Sequence, residues 1–195
     1  MWQMVIDNPY HVTEDKLIQQ KIPLPGDILS NAVAFGYTDL VIKLLQNSEY
    51  VKMYGADALT MAAAMGRIQM SRVLIGGGIS PNAQNNLGNT ALWAATQFGC
   101  TDEVEFLIKR GANVNFDVKR DHNTPMISAI WDRHYQTAAV LLKDGYKVKP
   151  WELSKIKVML FRQDNPSVWN FLFSKLEKKS KSSSKANDAI HNRRE

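Results

Sequence analysis

At 195 residues, with 45% hydrophobic and 22% charged residues, the chain has the size of one folded domain and is too short for two independent catalytic ones. Its net charge of +5 is concentrated at one end: residues 175–195 hold seven Lys/Arg against three Asp/Glu, so the preceding chain is close to neutral and overall basicity gives no argument for nucleic acid. The single cysteine, Cys100, excludes an internal disulfide and suits a reducing compartment. No apolar run approaches the roughly 20 residues of a membrane-spanning helix. The opening "MWQMVIDNPYHVTEDK" has no basic start, apolar core or small-residue cleavage site. A cytoplasmic location is the expectation.

Residues 1–26 read as an N-terminal extension or cap, and four similar units follow at about 27–52, 53–84, 85–117 and 118–150. Leu59, Ala62, Gly66, Leu74, Gly78 and Asn82 recur as Leu92, Ala95, Gly99, Leu107, Gly111 and Asn115, each 33 residues later. Ala129, Leu141 and Gly145 lie 34 residues beyond Ala95, Leu107 and Gly111, and Ala32, Gly36 and Leu44 lie 30 residues before Ala62, Gly66 and Leu74. Six coincident offsets in one ungapped pair mark a repeat. In the first unit Ser48 falls in the slot of the terminal glycine, and before the fourth "FDVKRDHN" carries one extra residue. Residues 151–178 read as a closing helical cap, apolar on one side through Ile156, Met159, Leu160, Val168, Phe171 and Leu172. Residues 179–195, rich in Lys and Ser, read as a disordered tail.

Within a unit the chemistry is local. Thr90 can cap a helix through its hydroxyl, and Thr124-Pro125 adds the proline favoured at a first helical position. Gly99 supplies a left-handed stop, Thr101 or Asp102 can start a second helix, and Val104, Leu107 and Ile108 recur there at helical spacing. A helix pair this small cannot bury its apolar faces alone, so the copies must stack.

"GNTALWAATQFGCTDEVEFLIKRGANVN" resembles an ankyrin repeat almost throughout, and "GADALTMAAAMGRIQMSRVLIGGGISPNA" and "NTPMISAIWDRHYQTAAVLLKDGYKV" resemble one more loosely. The resemblance implies an all-α ankyrin-repeat solenoid of stacked helix-turn-helix units with atypical caps. The family's Thr-Pro-Leu-His signature is intact nowhere: its histidine is replaced by Thr60, Trp93 and Ile127.

The resemblance also implies a non-enzymatic module that binds a folded protein partner through a concave face of turn tips and first helices, acting as an inhibitor, adaptor or immunity-type protein. Carried over slot by slot, the first-helix contacts are Phe35, Met65, Gln97 and Phe98, then Trp131 and Asp132; the tips supply Tyr54, Leu87, Asn89, Arg120 and His122. Phe35, Met65, Phe98 and Trp131 are expected to line up as an apolar strip of the kind that interfaces enrich at their centres. The expectations are no catalytic residue, no cofactor, no metal, no small-molecule substrate, no nucleic acid and a monomeric free chain. The four histidines are scattered, no paired-cysteine metal spacing exists, and "IGGGIS" ends a helix in register with "KRGANV". The competing reading is a nucleic-acid- or anionic-surface-associated protein working through the basic tail.

Overall fold

The computed structural model describes residues 28–116, 124–161 and 174. Those residues form nine helices: α1 (Ile28–Phe35), α2 (Thr38–Leu44), α3 (Ser48–Ala64), α4 (Ile68–Gly76), α5 (Ala91–Gln97), α6 (Thr101–Lys109), α7 (Pro125–Trp131), α8 (Tyr135–Lys143) and α9 (Pro150–Phe161). They stack in two layers. The first helices of the pairs pack in sequence, α1 on α3, α3 on α5, α5 on α7 and α7 on α9; the second helices α2, α4, α6 and α8 do the same behind them.

The core is the repeat made visible. Leu29, Leu59, Leu92 and Met126 form one buried column, Ala32, Ala62, Ala95 and Ala129 a second, and Leu44, Leu74, Leu107 and Leu141 a third. The alanine column lets successive first helices approach closely, while the leucines fill the space between layers. Each fully buried leucine is held by about 2–3 kcal/mol of apolar transfer.

Caps set the starts of the first helices. Thr90 Oγ1 accepts the Trp93 N–H at 3.3 Å, and Thr124 Oγ1 accepts that of Ile127 at 3.2 Å ahead of Pro125. The residue after each stop then seats on the stop before it. Arg67 lies over Gly36, Cys100 over Gly66 and His134 over Gly99, where an added Cβ would overlap the imidazole. The glycine at 99, with φ +69°, is thus required twice, for its backbone and for its missing side chain. In the fourth unit the same left-handed place is taken by Arg133, at φ +63°.

Asparagines stitch the loops. Asn82 donates to the Gly111 carbonyl at 2.9 Å and accepts the Asn113 N–H at 2.7 Å; Asn115 repeats the pattern on the Gly145 carbonyl and the Lys147 N–H. At the C-terminal end, buried Glu152 accepts from the Thr124 hydroxyl, the Tyr146 hydroxyl and the Lys149 N–H. It fastens α9 to the last pair.

The junction of the first two units departs from expectation. The predicted boundary at 52/53 falls inside α3, which runs unbroken for 17 residues. Ser48 ends nothing: it is the first residue of that helix, and Asn47 caps it by accepting the Tyr50 N–H at 3.1 Å. With no glycine to adopt a left-handed stop, the chain re-enters a helix after only three residues, which accounts for the 30-residue spacing there.

Candidate protein-binding surface

The residue immediately before each left-handed stop in the first-helix layer is forced outward by the turn. Phe35 closes α1, and Met65 and Phe98 are the C-cap residues of α3 and α5; their side chains are 58%, 46% and 60% exposed. Because the units stack, the shared position sets the three in a row, about 8–10 Å apart, the usual spacing of packed helices. Trp131, at 67% exposure, departs from the expected alignment by one residue. The stop of its unit is Arg133, so the equivalent slot belongs to exposed Asp132, and Trp131 precedes it by about 100° of helical turn. Gln97, which holds the place of Trp131 in the preceding unit, is half-buried.

The tip residues separate. Residues 84–90 form a small finger closed by a bridge between Gln84 and Thr90. Asn85 Oδ1 accepts the N–H groups of Leu87 and Asn89, both at 3.0 Å, which holds Leu87 outward, 66% exposed. Asn89 is half-buried, its backbone paired with Asn85. Tyr54, expected on a turn tip, lies instead in the middle of α3. Its ring is 4.8 Å from that of Tyr50, whose hydroxyl accepts the Leu29 N–H, so Tyr54 braces the core. Arg120 and His122 lie outside the described residues.

The unbroken α3 adds a stripe that the sequence reading missed, bringing Met61 in line with Met65. Met53, Met61 and Met65 fall at multiples of four along it and share one exposed stripe, with Met53 at 63% and Met61 at 40% exposure. Between them, Asp57 accepts from Asn86 Nδ2 at 3.0 Å and ties the finger to the stripe. The spacing by multiples of four was present in the sequence; placing Tyr54 on a turn tip hid it. Flexible thioethers beside fixed aromatics can repack around an incoming side chain.

Two polar features lie behind this surface. Cys100 Sγ points to the Ala64 carbonyl at 3.5 Å, and burial, reinforced by the charge of Glu103, pushes its thiol pKa up, away from a nucleophilic thiolate. Glu103 is itself buried in α6, and among the described residues neither of its oxygens nor Ser71 Oγ meets the geometry of a hydrogen bond. Desolvation raises its pKa, opposed in part by the nearby Ser71 hydroxyl. Trp93, in the slot of the family's histidine, likewise has a buried Nε1 without a partner among the described residues. Among the described residues no cluster of His, Cys, Asp or Glu is arranged to hold a metal, and no helix is long and apolar enough to cross a membrane.

A stack of short helix pairs, each turned back by a left-handed stop, defines the class of solenoid repeat proteins. Residues 72–150 match the family model of ankyrin repeats in 3 copies, which makes that stretch of the chain an ankyrin-repeat region. Repeats of this family are generally protein–protein interaction modules. No curated protein matches the chain.

Proposed function

We propose that the chain is a non-enzymatic, cytoplasmic binding protein that grips one folded protein across Phe35, Met65 and Phe98, with Trp131, Asp132, Leu87, Gln97 and Asn89 at the margins. It acts by occluding its partner, as an inhibitor, adaptor or immunity-type protein. The observation that carries this reading is the exposure of large apolar side chains at one structural position in three successive units. Side chains of that size left in water cost solubility, and a contiguous apolar patch on a folded domain marks an interaction site. The methionine stripe of α3 lies in the same layer and widens the patch.

The test is affinity capture from the native host with wild type and with the Phe98→Ala/Trp131→Ala double variant. A partner retained by the wild type and lost from the double variant, with the melting temperature unchanged, supports the reading. Equal capture by both, or a collapse in stability of the variant, counts against it. Retention that falls steeply with salt and disappears on deletion of residues 177–195 would assign binding to the basic tail instead.

A further inference from the structure

The second-helix layer carries a feature unrelated to the apolar row. Phe106 of α6 is half-buried, and two guanidinium carbons lie 5.2 Å from its ring centre: that of Arg72, from α4 of the preceding unit, and that of Arg110, the C-cap residue of α6. Both arginines are exposed, and neither has an acidic partner among the described residues. The nearest acid in sequence, Glu105, is engaged by Lys109 at 3.7 Å. The protein therefore gathers two like charges at one ring, with no compensating carboxylate among the described residues. The ring holds the planar groups by cation–π attraction and leaves their N–H edges free to donate.

We propose that Arg72, Phe106 and Arg110 form a docking site for an acidic segment of a protein partner, each guanidinium taking one carboxylate. The fork of N–H donors pairs with a carboxylate or a phosphate through two parallel hydrogen bonds, so the choice of carboxylate rests on how few charges the site offers. A phosphate backbone is the poorer fit. Its binding grows with each phosphate neutralised, whereas the site offers two arginines on repeats that are nearly neutral overall, the excess charge lying in residues 175–195. The site spans the second and third units, so it reads the packing between them as well as the charge of its ligand.

The experiment follows the assigned NMR signals of Arg72, Phe106 and Arg110 during titration with a hexaglutamate peptide, at about 0.15 M salt to screen long-range attraction. Those three signals are expected to shift together. The Arg72→Lys/Arg110→Lys variant, which keeps both charges but loses the forks, is expected to bind about tenfold more weakly or worse. Phe98→Ala should leave the titration unchanged, so this site can fail without touching the reading of the apolar row, and the reverse. The proposal is overturned if the three signals stay still while the peptide gathers on residues 175–195. It is equally overturned if the double lysine variant binds as well as wild type, or if an oligothymidylate moves the same signals at lower concentration, which would reassign the site to nucleic acid.

Discussion

The third and fourth units share a plan and solve it with different residues. In the third, Gly99 makes the left-handed stop, Phe98 stands in the outward slot and a buried Glu103 opens the second helix. In the fourth, Arg133, Asp132 and Thr137 occupy those places, and Thr137 meets Thr101 Oγ1 at 2.8 Å across the joint. The core columns run through both versions, with Met126 in the fourth unit standing where Leu92 stands in the third. What the repeat holds constant is the packing between layers; what it lets vary is the outward slot and the polar filling of the joints. Binding specificity can therefore change from unit to unit without refolding the stack.

Breaking the constant part should cost most. Leu107→Ala, at a fully buried column position, is expected to destabilise the protein by about 3 kcal/mol in urea unfolding. Glu152→Ala removes the acceptor shared by the hydroxyls of Thr124 and Tyr146 and should cost about 2–3 kcal/mol by the same measurement, with α9 the first element to lose hydrogen-exchange protection. Gly99→Ala forces a Cβ into the left-handed region and against His134, for a loss of about 2 kcal/mol. The opposite change sharpens the comparison: Arg133→Gly relieves the same backbone strain and should stabilise by about 0.5–1 kcal/mol.

The smallest expected effect is a pH dependence of the third unit alone. The folded-state pKa of Glu103 is raised by burial, so the folded chain holds that proton after the unfolded chain has released it. Its contribution is fully present below the ordinary carboxylate pKa, about 4.3, and is lost as pH rises through the higher folded value. Relative to wild type, Glu103→Gln should therefore gain stability as pH climbs from the ordinary carboxylate range toward neutrality. Working below neutral pH keeps the raised Cys100 thiol out of the comparison. A constant difference between the two proteins across that range would show that the buried carboxyl does not titrate with folding.

Much of this plan was legible before any coordinates. Leucine, alanine and glycine at fixed offsets gave the columns and stops, and Thr90 and Thr124-Pro125 gave the helix starts, because each depends on its own neighbours. The misreadings arose where a residue acts without its usual signal. Asn47 starts a helix where a glycine-ended turn was expected, which moved Tyr54 inward and exposed the methionine stripe. Trp131 matches Gln97 and not Phe98 at the 34-residue offset, and Arg133 in the left-handed place of Gly99 keeps that register. Glu152 finds Thr124 28 residues away, a pairing set by stacking and not by local pattern. The outward row was visible in register; its exposure required the stack.

The most direct measurement uses methionine methyl groups as reporters on both sides of the first-helix layer. With the host protein captured by the wild-type chain added to ¹³C-methyl-labelled protein, the signals of Met53, Met61 and Met65 are expected to shift, while buried Met70 and Met126 hold still. Unmoved surface methionines in a saturated complex, with perturbation confined to the second-helix layer, would contradict the assignment of the binding flank.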